Sequence, residues 1–370
     1  MRVTCSGLDL ADAVGKVIKA VSPRTVNPIL ECIKIKAEAD ELVLTATDLE
    51  LTIEKRVRAD IEIEGTAVVP GKFLADYIRR MNEDQISLSL SERKILTLRY
   101  RDAIGEIRCF NEDEYPVIKT LENADSFCIQ SGVLKDLIAK TIFSVASDDA
   151  RPILKGLLLE VAGDSRMMTA VALDGYRMAK CVKLIIEASA GMSVIVPARS
   201  LGELHKLLAD SDDRIEIIRQ RTAIMVTFGD TKVYTRLLDG EYLNYRQIIP
   251  TDFSTDIIVN RKQFEAALDR ASLVSRSDKT NLVKLDIREN YLEITSASEI
   301  GNAEEKIPQK LTGKEMVLIF NVRYFLEALH VVSDDFIKVR FTRPDSPCII
   351  SSTEQESEYL YLFLPIRTPR

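Results

Sequence analysis

Acidic pairs such as Asp148-Asp149, Asp212-Asp213 and Asp334-Asp335 could in principle hold a divalent cation. Each pair ends a helical pattern or sits in a turn, where solvated acids are the simpler reading. The six cysteines (Cys5, Cys32, Cys109, Cys128, Cys181 and Cys348) are scattered without a C-x-x-C, so reduced and mostly buried thiols are expected. The two histidines lie inside apolar helical patterns, at Leu204-His205-Lys206 and Leu329-His330-Val331. Neither has the ligand spacing of a zinc site or a recognisable setting for Ser-His-Asp catalysis. Glycine-rich dinucleotide and phosphate loops and the H-E-x-x-H zinc motif are absent as well. No active site, cofactor or metal is expected. One stretch, Leu173 to Met178, sets polar residues among apolar ones, which suits binding better than catalysis.

The elements that would carry such a stretch repeat three times. Val69-Pro70-Gly71-Lys72-Phe73-Leu74, Val196-Pro197-Ala198-Arg199-Ser200-Leu201 and Phe320-Asn321-Val322-Arg323-Tyr324-Phe325 each open a helical pattern, at offsets of 127 and 124 residues. A fixed period without a shared catalytic residue signals architecture. Each third begins with apolar residues at three-four spacing: Leu10, Val14 and Val17; Leu134, Leu137 and Ile138; Phe264, Ala267, Leu268 and Ala271. Two strands then follow, expected at 29–37 and 42–46, 157–161 and 167–172, and 282–287 and 291–295. The turns between them are Ala39-Asp40-Glu41, Gly163-Asp164-Ser165 and Arg288-Glu289-Asn290. A further strand, a second helix and closing strands complete each third. Tyr115-Pro116 and Ile249-Pro250 mark the ends of the first two units.

At 370 residues, 46% apolar and 29% charged, the chain has the composition of a soluble globular protein with room for three domains. Its start, Met1 to Ser6, lacks a signal-peptide core, and no run of about 18 apolar residues occurs, so a cytoplasmic chain without a membrane span is expected. The net charge of −7 argues against a general nucleic-acid binder, but its distribution is uneven. The helical stretches 7–22, 71–82, 131–147, 198–209, 260–276 and 321–332 together carry +6, leaving −13 for the rest. The helices are basic on an otherwise acidic chain.

Five segments, in order, carry a resemblance. They are Thr45-Ala46-Thr47-Asp48-Leu49-Glu50, Arg151-Pro152-Ile153-Leu154-Lys155-Gly156, Ala172-Leu173-Asp174-Gly175-Tyr176-Arg177-Met178-Ala179, Asp239-Gly240-Glu241-Tyr242-Leu243-Asn244-Tyr245-Arg246 and Leu364-Pro365-Ile366-Arg367. With the repeat, the chain resembles the bacterial DNA polymerase III beta subunits, the sliding clamps, over essentially its whole length. The resemblance implies an α+β fold of three clamp-type domains, 1–121, 122–252 and 253–370, each with two helices on antiparallel sheet. It also implies a head-to-tail homodimer closed into a ring around duplex DNA, with no catalysis and no cofactor.

In such a ring the helices would face DNA, and Lys16, Lys19, Arg24, Arg79, Arg80, Lys135, Lys140, Arg199, Lys206, Arg261, Arg270 and Arg323 are the candidate lining residues. Phosphate contacts of this kind are independent of base sequence. The resemblance further implies a pocket for partner peptides walled by Leu154, Leu173, Gly175, Tyr176, Arg177, Met178, Leu243, Ile248, Phe363, Pro365, Ile366 and Arg367, with the two arginines offering polar contacts. Here Leu173 replaces a commonly small polar residue and Leu243 a common proline. Tyr176 fills a variable position, and Thr368-Pro369-Arg370 extends the end. Ile104 and Ile107 on an edge strand, with Leu273 and Val274 at a helix end, match interface positions. Implied partners are double-stranded DNA, a polymerase catalytic subunit, a clamp loader and other proteins with clamp-binding motifs.

Two further readings compete. A scaffold that binds proteins but not DNA predicts no basic bias on the helices, which the charge split opposes. An enzyme with an unrecognised site would need a polar cluster in one third, and the mainly apolar neighbours of Leu173 to Met178 favour peptide binding there.

Overall fold

The computed structural model describes all residues except 23–24, 82–84, 118–124, 163–164, 277–280, 355–357 and 367–370. The turn residues Gly163 and Asp164, the domain boundary placed at 121/122, Arg24, Arg367 and the Thr368-Pro369-Arg370 extension therefore lie outside the described residues.

The order of elements repeats as the sequence pattern predicts. The first third runs β1 (Arg2–Ser6), α1 (Gly7–Val17), β2 (Cys32–Glu38), β3 (Glu41–Thr47), β4 (Leu51–Ile63), β5 (Gly65–Pro70), α2 (Gly71–Ile78), β6 (Gln85–Leu90), β7 (Ile95–Tyr100) and β8 (Ala103–Arg108). The second runs β9 (Asp125–Gln130), α3 (Ser131–Ala139), β10 (Gly156–Val161), β11 (Met167–Leu173), β12 (Arg177–Leu184), the short β13 (Glu187–Ala188), β14 (Met192–Pro197), α4 (Ala198–Leu207), β15 (Arg214–Arg219), β16 (Ala223–Phe228) and β17 (Thr231–Arg236). The third runs β18 (Thr255–Asn260), α5 (Arg261–Ser275), β19 (Leu282–Ile287), β20 (Tyr291–Ser298), β21 (Gly301–Gly313), β22 (Met316–Asn321), α6 (Val322–His330), β23 (Phe336–Phe341), β24 (Cys348–Ser352) and β25 (Tyr359–Phe363).

Local chemistry sets the helix starts. The Ser6 hydroxyl accepts from the Asp9 amide at 3.2 Å, and Asn260 and Asn321 cap α5 and α6 in the same way. Apolar residues one turn apart then give each helix a face to bury: Leu10, Ala13, Val14 and Val17 on α1, and Phe264, Ala267, Leu268 and Ala271 on α5. Two expectations shift. The helix expected over 131–147 ends at Ala139, because the Thr141 hydroxyl donates to the Leu137 and Ile138 carbonyls and diverts the chain into a 3-10 turn at Ile142–Ser144. The strand expected from Ile29 starts at Cys32, because Pro28 and the Asn27 cap wind Pro28–Glu31 into a 3-10 turn.

Two compact units emerge, each built on one antiparallel sheet. The first comprises residues 1–131, 186–189 and 206–237, with strand order β13-β9-β15-β16-β17-β4-β1-β6-β7-β8 and β3, β2 and β5 continuing from β4. The second comprises 132–185, 190–205 and 238–370, with order β14-β10-β11-β12-β25-β24-β23-β18-β21-β20-β19-β22. In each unit one long strand accepts the last strand of the following third. β4 takes β17 along Leu51–Lys55, with Thr231 opposite Lys55 and Thr235 opposite Leu51. β12 takes β25, with Tyr359 opposite Cys181 and Phe363 opposite Arg177.

The core of the second unit gathers Phe264, Phe320, Phe325 and Phe363, with the last two rings 4.7 Å apart. Tyr359, Tyr361 and Phe363 feed this core, whereas Leu360 and Leu362, on the opposite face of β25, join a smaller cluster.

Candidate peptide cleft and basic helix residues

That smaller cluster is the floor of the candidate peptide cleft. Leu154, Leu173, Met178 and Leu362 pack with Val171, Ile195 and Tyr245, all buried. Leu243 and Ile248 flank Tyr245 in sequence and stand half exposed, at 47% each. Tyr176 is 62% exposed, and Leu364 and Ile366 are exposed beyond β25. Apolar side chains left in water beside a buried apolar floor are the chemistry of a site for aliphatic or aromatic anchors.

The turn that shapes one wall is tightly made. Asp174 Oδ1 accepts from the amides of Tyr176 (2.9 Å) and Arg177 (3.0 Å). Gly175 takes φ +96°, and nothing lies within 4 Å of where a Cβ would stand, so the wall is left open there. The Leu364 amide donates to the Tyr176 carbonyl at 2.9 Å, tying the end of the chain to the turn. Tyr242 donates to the Val171 carbonyl at 3.4 Å, and burial raises its phenol pKa.

Three of the expected walls need correcting. Arg177 is 8% exposed, and its guanidinium is spent internally: Nε donates to Asp174 Oδ2 at 2.9 Å, Nη2 to the Phe143 carbonyl at 2.6 Å, and Nη1 to Glu327. It braces the turn instead of presenting donors to a ligand. Phe363 faces the aromatic core, because the alternation along β25 sends Leu362 to the cleft in its place. Leu154 is floor and not rim.

The sequence reading missed Tyr324, whose ring lies 4.6 Å from the Arg177 guanidinium, and Phe143, at 5.7 Å from it. It also missed Glu327. Tyr324 stood inside the repeated helix-opening segment and Phe143 beside the Thr141 break, but no local pattern joins either to residue 177.

The basic set divides by environment. Arg79, Arg80, Arg199 and Lys206 are exposed, and Lys19 and Lys135 are half-buried. Lys16 pairs with Asp12 at 2.7 Å, Arg270 grips Glu305 through two bonds of 2.7–2.8 Å, and Arg323 holds Glu327 at 2.7 Å. Lys140 and Arg261 are corrections. Lys140 is 6% exposed and bonds Asp136 and Glu358, each at 3.0 Å, within a network completed by Lys183. Arg261 is largely buried, pairing with Glu265 at 2.6 Å and reaching the carbonyls of Leu329 and Asp334.

At the expected interface, Ile104 and Leu273 are exposed and Val274 is half-buried. Ile107 is corrected: its side chain is buried in its own unit, so only its backbone edge is on offer. The aspartate pairs are engaged in hydrogen bonds, such as Gln130 to Asp212 and Tyr359 to Asp334, and the described residues hold no group of three ligand side chains for a metal. No described helix is long and apolar enough to cross a membrane.

Comparison with known proteins bears on this repeated fold. Models of the N-terminal, central and C-terminal domains of the DNA polymerase III beta subunit match residues 1–119, 128–244 and 246–367. The chain is 33% identical over 380 residues to the beta sliding clamp of Bacillus subtilis, covering 100% of both, and 31% identical to that of Staphylococcus epidermidis, covering 95% of both. Its fold is similar to the crystal structure of the DNA polymerase sliding clamp from Bacillus subtilis (TM-score 0.96, 32% identity, all of both chains). It is likewise similar to the beta subunit from Thermotoga maritima (TM-score 0.92, 26% identity, all of both chains). The class is that of the three-domain DNA sliding clamps, which are processivity factors and not catalysts. The chain belongs to the DNA polymerase III beta subunit family, the beta sliding clamps.

Proposed function

We propose that two copies of this chain, each of three domains bounded at 121/122 and 252/253, close head to tail into a ring that encircles duplex DNA. The carrying observation is a pairing made twice within the chain and left open a third time. β17 lies on the first half of β4, and β25 lies on β12. By the same offsets β8 belongs on the first half of β21. Among the described residues, β8 pairs only with β7, and residues 301–308 of β21 pair only with β20. Transferring the register sets Ile107 opposite Gly301 and Ala103 opposite Glu305 of a second copy. Two open edges invite edge-to-edge growth, and pairing them in a closed dimer removes both.

The exposed Arg79, Arg80, Arg199, Lys206, Arg270 and Arg323, with the half-buried Lys16, Lys19 and Lys135, then supply weak, sequence-independent phosphate contacts, which suit sliding. The cleft receives an extended peptide of the polymerase or of another client. Each buried Leu or Phe anchor contributes about 1.5–3 kcal/mol, which supports affinity of roughly micromolar order from a short motif. Tethering raises the polymerase's effective concentration at the primer end, so dissociation is followed by rebinding. A closed ring cannot thread a duplex unaided, so an ATP-driven loader is a further partner. These partners place its work in the cytoplasm.

The test is retention on closed circular DNA, with a compatible loader and ATP, before and after a single cut. Retention on circles with run-off after cutting is expected. Equal retention on both forms would sink the topological reading, and binding to neither, with a loader active on its own clamp, would favour a protein-only scaffold.

A further inference from the structure

Glu327 occupies an unusual place in the second unit. Its Oε2 accepts from Nη1 of the buried Arg177, and its Oε1 accepts from Nε of Arg323 at 2.7 Å. Arg177 reaches the turn that walls the candidate peptide cleft through its bond to Asp174 and is held from the other side by the Phe143 carbonyl. Arg323 is 70% exposed, one turn earlier on α6. On that side lies a second, open cleft of about 1040 Å³, lined by Arg323, Glu327, Phe143, Lys262, Arg276 and His330 among others. One carboxylate therefore joins the brace of the peptide wall to a cation exposed on a helix.

We propose that Glu327 is a positioning residue through which a phosphate held by Arg323 tightens peptide binding at the Asp174–Arg177 turn. This rests on the reading of α6 as facing DNA and of the cleft as a peptide site. A carboxylate shared by two guanidinium groups divides its acceptor strength between them, and the two cations repel each other across it. A phosphate that draws Arg323 away leaves Glu327 to Arg177 alone. The Arg177 guanidinium is then held more firmly, and with it the Asp174 carboxylate that closes the turn under Tyr176. A wall already ordered loses less entropy when a peptide docks. By linkage the peptide strengthens DNA binding by the same factor.

The experiment uses the full chain, a fluorescent peptide with Leu and Phe anchors, and a short linear duplex at a concentration shown to saturate each variant. Peptide affinity is read by anisotropy with and without the duplex. The wild type should bind the peptide about fivefold more tightly with DNA present, a coupling at the low end of the usual range. Arg323→Ala is an exposed substitution that leaves Glu327 to Arg177 permanently. It should bind peptide at the DNA-saturated wild-type level and show no further response. Glu327→Gln should bind more weakly and also fail to respond.

A DNA response that survives in Arg323→Ala overturns the proposal, as does a wild type whose peptide affinity ignores saturating duplex. A wild type that binds no peptide overturns the cleft reading beneath it, and a duplex affinity that Arg323→Ala leaves unchanged overturns the placing of a phosphate on Arg323; both failures are visible in the single-ligand titrations.

Discussion

Arg177 brings a permanent charge into a nearly closed site, where two carboxylates, a backbone carbonyl and two aromatic rings surround it. Removing one member of such a set strands the others, which costs more than the interaction itself is worth. Arg177→Ala should therefore lower stability by about 3 kcal/mol in urea denaturation and weaken peptide binding. Unchanged peptide affinity in the folded variant would show that the brace does not shape the cleft. The turn it braces has a counterpart in the first unit. Asp48 Oδ1 accepts from the amides of Glu50 and Leu51, and the Arg236 amide donates to the Glu50 carbonyl at 2.9 Å, as Leu364 does to Tyr176. There Leu49 holds φ +78° at the place of Gly175, so a side chain stands where the cleft is bare. Both turns lie in segments that carried the resemblance, but the bare wall depends on which copy has glycine.

Among elements, the least local link runs from α3 to β12 and the start of β25. Lys140 on the turn after α3 and Lys183 on β12 both bond Asp136 and Glu358, with shared carboxylates and a net charge near neutral. Burial pushes the Glu358 carboxyl pKa up, but hydrogen bonds from Lys183 and Lys140 outweigh it and hold the pKa below the usual range. A depressed acid stabilises the fold above its unfolded pKa, about 4.3, and that contribution is lost as pH falls through the lower folded value. Glu358→Gln should cost about 2 kcal/mol at neutral pH, with the gap to wild type narrowing below about pH 4. Denaturation series at several pH values check this, and a gap independent of pH would remove the network from the account. The sequence showed Lys140 as one more basic helix residue, because nothing local reveals a carboxylate 218 positions away.

For the whole molecule, the decisive contact is the one that the proposed ring makes between copies. Leu273 near the end of α5 and Ile104 on β8 are apolar and exposed, and in the transferred register Ile104 stands opposite Glu304. Ile104→Glu adds a like charge there, and Leu273→Glu puts a charge where an apolar contact is expected. The double variant should sediment as a folded monomer, and a persistent dimer would place the interface elsewhere. The threefold period, the order of strands and helices and the basic bias of the helices were all set by the sequence. They depend on residue type, on spacing within a turn or strand, and on the recurrence of one pattern along the chain. The tertiary structure alone decided that Lys140 and Arg261 are internal, that Arg177 braces, that Phe363 turns to the core, and that Ile107 offers only its backbone. Each of those outcomes depends on a partner brought from far along the chain, and periodicity specifies a face without naming what will cover it.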